Sequence, residues 1–224
     1  MAEIEEGIMM VVRDRLRDAQ EKLHAADYDA AMALAHEALD KALNQNHNPS
    51  IAAAYYGIAS LIWASGGDSA KAHYYAGLAA QNTKANTQTD LLVRTLVARI
   101  KAARGNYEAA ILLNEDLLRY YFETNDYSGM ANVLRSLGDV YFSMGNYAKA
   151  TERYHESLRL YTNDLQEPLN HAGVLVSYGS LMYQRSDTQQ AEAYWDEAQR
   201  IAEAHGFRHI IEGLDSARRD LNEG

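Results

Sequence analysis

The 224-residue sequence contains no cysteine and only two prolines. The first absence excludes disulfides, thiolate metal sites and thiol nucleophiles. The second argues against a strand-and-turn architecture, since average usage would give about eleven prolines in a chain of this length. Positive charge is also scarce. Lys and Arg number 21 against 31 Asp and Glu, a formal net charge of -10. Such a field repels phosphate backbones and anionic lipid, so neither nucleic acid nor a membrane is expected as a partner. Long apolar runs are missing too. The nearest approach, residues 48–67, has no charged side chain, but it carries Asn48, Pro49, Ser50, Ser60, Ser65 and three glycines, with many alanines in place of larger aliphatics. Its transfer free energy is too small for a bilayer span, and a buried helix is expected there. The opening Ala2-Glu3-Ile4-Glu5-Glu6 is not a basic and then apolar leader, which leads to the expectation of a cytoplasmic protein.

What is abundant points to helices. The chain is 47% hydrophobic and 23% charged, ordinary for a globular protein, and rich in Ala, Leu, Glu, Gln and Arg. One short phrase recurs. Ala26-Asp27-Tyr28-Asp29-Ala30-Ala31, Gly67-Asp68-Ser69-Ala70-Lys71-Ala72, Gly105-Asn106-Tyr107-Glu108-Ala109-Ala110, Gly145-Asn146-Tyr147-Ala148-Lys149-Ala150 and Ser186-Asp187-Thr188-Gln189-Gln190-Ala191 follow one another at spacings of 41, 38, 40 and 41 residues. Each begins with a small or polar residue where a chain can turn and ends with an alanine where a following helix can press on its neighbour. The flanks keep the period. Small residues Ala19, Ser60, Ala98, Gly138 and Gly179 stand seven places before the anchors, and Ala38, Ala79, Leu117, Ser157 and Ala198 twelve places after. Small residues there let helices approach, and larger ones such as Leu134, Leu137, Tyr141, Tyr147 and Tyr154 fill the space between.

The two prolines agree with this frame without having been used to build it. Pro49 and Pro168 both lie eighteen residues before their anchors, a position suited to a helix's first turn, with Asn48, Asn86 and Asp126 as expected N-caps of the second, third and fourth units. Past the fifth unit, His205-Gly206-Phe207 signals a helix stop. Ile210, Leu214, Ala217 and Leu221 then form one apolar stripe, with Glu212, Asp215, Arg218, Arg219 and Asp220 expected to face away. A terminal helix of this kind caps a repeat array. The expected architecture is therefore all-α, five helix pairs over residues 3–44, 48–84, 86–124, 126–164 and 167–205, and a capping helix over 208–222.

These residues resemble the tetratricopeptide repeat family. The fourth unit carries the resemblance best, with Leu134, Leu137, Gly138, Tyr141, Gly145, Tyr147, Ala150, Tyr154 and Ser157 at the signature registers, only the last a substitution. The fifth keeps Leu175, Gly179, Ala191, Trp195 and Ala198, while the first three keep mainly the alanine phrase. A period near forty is similar to the longer-helix variety found in mitotic-spindle adaptors, kinesin light chains and bacterial regulators of the maltose-activator and Rap kinds. The resemblance implies a right-handed superhelical solenoid, 1–224 as one domain, that binds a protein or peptide.

No constellation of reacting groups appears. The chain lacks a phosphate-cradling glycine loop with lysine, a nucleophile elbow and a His-Glu-x-x-His pair. His205 and His209 are four apart, but Gly206 and Phe207 intervene at a helix end, and the other six histidines are scattered. No catalytic residue, metal site or cofactor is expected. Most of the sixteen tyrosines, including Tyr28, Tyr107, Tyr141, Tyr147 and Tyr154, fall at packing registers, whereas Tyr183 faces the other way.

Stacked helix pairs curve, and the first helix of each pair lines the inner side. By register that surface receives Arg13, Arg17 and Gln20; Ala54, Gly57, Ile58 and Leu61; Thr95 and Arg99; Asn132, Arg135 and Asp139; and Val176, Ser177, Ser180, Tyr183 and Gln184. Four arginines beside an apolar step suit a partner with acidic and apolar side chains. Salt bridges to Asp14, Asp18 and Asp139 are the competing role for the arginines, and cover by Ile4, Ile8, Val11 and Val12 the competing fate of the apolar step. The Lys and Asn, four apart, with which chaperone-tail binders of the family clamp a terminal carboxylate have no counterpart here. The corresponding pairs are Leu16 with Gln20, Gly57 with Leu61, Thr95 with Arg99, Arg135 with Asp139, and Val176 with Ser180. The expected function is a peptide-binding scaffold or adaptor. The alternative is a sensor that binds a small molecule or signalling peptide and controls a separate effector. A homodimer through the ends of the array or the apolar face of the second unit is compatible with either.

Overall fold

The computed structural model describes residues 2–163 and 165–222, and side chains over 6–162 and 165–219. Ile4, Asp220 and Leu221, to which packing or exposed roles are assigned above, have side chains outside the described residues. The described residues form eleven α-helices: α1 (Ala2–His24), α2 (Tyr28–Asn44), α3 (Asn48–Ala64), α4 (Ser69–Gln81), α5 (Gln88–Ala103), α6 (Tyr107–Glu123), α7 (Tyr127–Ser143), α8 (Tyr147–Asn163), α9 (Pro168–Gln184), α10 (Thr188–His205) and α11 (Arg208–Asn222). They divide into two compact units, Met1–Ile100 and Lys101–Gly224.

The turns explain the repeated phrase. Each anchor residue, or its neighbour, adopts a left-handed backbone: Ala26, Gly66, Gly105, Gly145 and Ser186 have φ between 59° and 77°. The next amide then reaches back to close the helix, as Asp27 N–H does to Lys22 O at 2.8 Å and Asn146 N–H to Tyr141 O at 2.9 Å. In the second repeat the left-handed residue is Gly66, one place before the expected anchor Gly67. The turn is longer by that residue. Side-chain oxygens start the following helices: Asp27 accepts from Ala30 N–H, Asp68 from Ala70 N–H, and Asp187 from Gln190 N–H. Of the three caps expected at the first helices, Asp126 serves α7, accepting from Gly129 N–H at 2.8 Å. The other two are displaced. Asn48 is already helical, with His47 as the cap, and Asn86 takes a left-handed φ of 60° while Thr87 Oγ1 accepts from Asp90 N–H.

In the first unit α1 packs on α2 and α3, and α3 on α4, around a core that includes Val12, Ala19, Ala35, Ile51, Ile58, Ile62, Ala76, Leu96 and Ile100. Cover of α3 by α1 is thus realised through Val12. Val11 is instead 39% exposed. In the second unit α7 pairs with α8 and α9 with α10, α6 lies on α7, and α11 on α10 and α9. Here aromatic rings sit on glycines. A Cβ on Gly138 would lie 2.5 Å from the Tyr154 ring, and one on Gly179 2.4 Å from Trp195 Nε1. Tyr154 and Trp195, 0% and 1% exposed, thereby bring their helices to the partner backbone. On α11, Leu214 is buried while Glu212, Asp215 and Arg219 are exposed. Arg218 departs from its expected outward position: it turns onto α10 and donates to Glu192 Oε2, Asp196 Oδ1 and Gln199 Oε1 at 3.1, 2.7 and 2.6 Å. No helix among the described residues is long and apolar enough to cross a membrane.

Candidate functional site

In the first unit, the first helices α1 and α3 and the start of α5 line one cleft of about 410 Å³. Its apolar floor includes Val12, Leu16, Tyr56, Leu61 and Leu92, and its polar edge Arg13, Arg17, Gln20, Ser60, Gln88 and Thr89. Gly57 makes the close approach possible, since a Cβ there would come within 2.7 Å of a Leu16 methyl. Arg13, Arg17 and Gln20 are exposed at the rim. Arg17 is held by its own helix, 3.1 Å from Asp14 and 3.8 Å from Asp18. Such exposed intrahelical pairs are weak enough for an incoming carboxylate to replace. Desolvation raises the Tyr56 hydroxyl above its usual pKa, with the Ser60 hydrogen bond and the Arg99 charge opposing. Arg99 lies over the Trp63 ring at 5.6 Å, and the Thr95 hydroxyl donates to Leu91 O at 2.9 Å.

Two expected members behave differently. Ile58 is 0% exposed and belongs to the core, because one residue beyond Gly57 is a 100° turn of the helix away from the cleft. Ala54 is likewise buried. Leu61, 7% exposed, still reaches the cleft wall.

In the second unit the facing residues come from α7 and α9. Arg135, its side chain 23% exposed, approaches the Asp139 carboxylate at 4.0 Å. Its guanidinium lies against Gly173, where a Cβ would meet Nη1 within 2.2 Å. Asp139 Oδ1 accepts from the Tyr154 hydroxyl at 2.7 Å, and Asn132 Oδ1 from the Tyr161 hydroxyl at 3.0 Å. Both phenols are raised in pKa, each mainly by burial, with the Asp139 charge adding to Tyr154 and the Glu167 charge to Tyr161. Ser180 donates to Val176 O, Ser177 is half-buried and Gln184 is exposed. Tyr183 stacks on Trp195 with ring centroids 6.1 Å apart, so despite its register it takes part in packing. His171, stacked on Tyr161 at 6.3 Å, has its pKa lowered by burial, partly offset by the Glu197 charge.

The sequence reading therefore finds Arg13, Arg17, Gln20 and Leu61 in one place and Asn132, Arg135 and Asp139 on one helix face. Leu16, Tyr56 and Leu92 line the same cleft, and His171 and Gly173 pack on Tyr161 and Arg135, without being among the expected residues. Gly173 had a signal, because it stands four and seven residues before Ser177 and Ser180 on one helical stripe. Tyr56 had none, since α3 has no charged residue from which to read its faces. Among the described residues no group of three or more His, Asp or Glu side chains is placed to hold a metal ion.

Residues 91–163 match the model of the tetratricopeptide repeat. That segment, about a third of the chain, carries the tetratricopeptide repeat signature. Solved structures extend the likeness of fold over nearly the whole length. NprR in complex with its cognate peptide NprX matches with a TM-score of 0.75 at 19% identity, over 89% of this chain and 57% of that one, so this chain spans little more than half of NprR. PlcR from Bacillus thuringiensis, in complex with the peptide PapR7 and DNA, matches with a TM-score of 0.72 at 10% identity, over 91% and 73%. BtubC from P. vanneervenii matches with a TM-score of 0.58 at 19% identity, over 90% of each chain. No curated protein sequence matches.

Proposed function

We propose that this tetratricopeptide-repeat chain is a non-enzymatic scaffold that binds a peptide or an extended protein segment on the faces of its first helices. The observation that carries the reading is the cleft of the first unit, where three first helices supply an apolar floor and a polar rim with Arg13 and Arg17. The floor accepts an apolar side chain and the rim a carboxylate, so the partner is a segment with acidic and apolar residues. A preformed cleft lowers the entropy lost in ordering such a segment. The net charge of -10 disfavours nucleic acid, and a cysteine-free composition suits a cytoplasmic setting.

A second reading makes the same faces the receptor of a sensor. It is favoured by the peptide-bound structures of like fold, one of which also holds DNA. In that case the chain controls a separate effector. Small-angle scattering with and without bound peptide separates the two, a change in overall dimensions on binding belonging to the sensor.

Peptides selected against the full chain by display are expected to be enriched in Asp and Glu beside aliphatic anchors. Changing Arg17, Arg99 and Arg135 together to Ala should weaken them by about tenfold or more, the effect of roughly 1.4 kcal/mol, while circular dichroism stays unchanged. Unaltered affinity in the folded triple variant would remove the first-helix faces from the site.

A further inference from the structure

The first-helix faces do not account for a second cleft, of about 480 Å³, built within the second unit by α6, α7 and α8. Its floor is apolar: Leu118 and Phe122 from α6, Met130 and Leu134 from α7, and Leu160 from α8. Of these Phe122 is 68% exposed, as high as any large apolar side chain among the described residues. Isolated exposed apolar residues are ordinary, but an exposed phenylalanine continuous with an apolar cleft marks a contact surface.

The charges on the walls indicate what would fill it. Arg119, Arg153 and Arg159 line the cleft with Glu115 and Glu156. Glu156 is already neutralised, accepting from Arg153 Nη1 at 2.8 Å. Arg119 and Arg159 are exposed and have no carboxylate within ion-pair distance among the described residues. In a chain with ten more acidic than basic groups, this apolar trough is lined by three arginines against two glutamates and is locally positive. The α6 wall, residues 115 to 122, is about 10 Å long at 1.5 Å per residue, room for two apolar anchors one helical turn apart.

We propose that this cleft is a second docking site, separate from the first-helix faces, for an acidic amphipathic helix of a partner protein. Its apolar stripe covers Phe122, Leu118 and Leu160, and its carboxylates pair with Arg119 and Arg159.

The probe is a fluorescein-labelled synthetic peptide with leucines at alternating spacings of three and four and glutamates between them, titrated into the full chain at low salt and followed by anisotropy. Arg119→Glu with Arg159→Glu should weaken binding by about tenfold or more, as loss of two charge-assisted contacts implies. Read from the emission of Phe122→Trp, which reports this cleft even where the same peptide also occupies the first-helix faces, binding in the Arg17, Arg99 and Arg135 triple Ala background should stay within about twofold. A peptide with lysine in place of glutamate should not bind the unaltered chain, and Phe122→Trp should change its emission only with the acidic peptide; both readings hold even if the charge reversal disturbs folding. No binding of the acidic peptide, equal binding of its lysine counterpart, or loss of binding in the triple variant alone would each overturn the proposal. The last would at the same time support the first-helix site.

Discussion

Gly138 and Gly179 are the residues on which the second unit's packing turns most sharply. Each lies beneath an aromatic ring of the partner helix, and the ring's polar atom is anchored beyond it: Tyr154 on Asp139, and Trp195 Nε1 on Val176 O at 3.2 Å. A methyl on Gly138 has nowhere to go, because the obstruction is a fully buried ring fixed by its own hydrogen bond. Gly138→Ala should therefore cost about 1–3 kcal/mol despite alanine's better helix propensity, read from urea midpoints at unchanged slope. A stabilised variant would mean that Tyr154 can shift. Repeat register assigns these glycines to close helix approach and Tyr154 to the space between the helices, as found, but which ring seats on which glycine is set by tertiary packing. The same limit explains Ile58. On an amphipathic helix a step of one residue is legible from its charged neighbours, and α3 offers none.

Helix ends were the most legible elements. The repeated small residue followed by Asp or Asn is a left-handed turn followed by an N-cap, and the register alone places Ala26 and Ser186 there, although neither is a residue that favours positive φ. Turns between repeats were less legible, since Asn46 and Asn125 carry left-handed conformations without a recurrent phrase around them. The terminal helix and the outward Glu212, Asp215 and Arg219 are as expected, and Arg218 alone is not. A stripe of carboxylates on α10 draws Arg218 inward, and an interaction between helices leaves no mark in local periodicity. Arg218→Ala should lower stability by about 1–2 kcal/mol. This is less than three buried contacts would imply, because the Glu192 and Asp196 side chains are 52% and 69% exposed. Hydrogen exchange should show the added opening in α11 first. Unchanged exchange there would mean that Leu214 and its apolar neighbours hold the cap alone.

At the scale of the whole molecule the charge imbalance is the simplest lever. With 31 acidic against 21 basic side chains, self-repulsion opposes the compact state. Raising salt from about 0.01 M to 0.15 M shortens the screening length from roughly 30 Å to 8 Å, and the Tm should rise. A falling Tm would show that local ion pairs such as Arg153 with Glu156 outweigh the net repulsion. Composition makes this visible without coordinates, whereas the division into two compact units within α5 has no counterpart in the repeat spacing.

The placement of the two tryptophans has a practical corollary. Trp63 lies in the first unit under the Arg99 guanidinium, and Trp195 is sealed in the second. Each unit therefore carries a single indole, one responsive to whatever displaces a neighbouring cation and the other unchanged in emission until its own hairpin melts. Removing either indole turns the protein's emission into a one-channel record of the remaining half, with no dye attached.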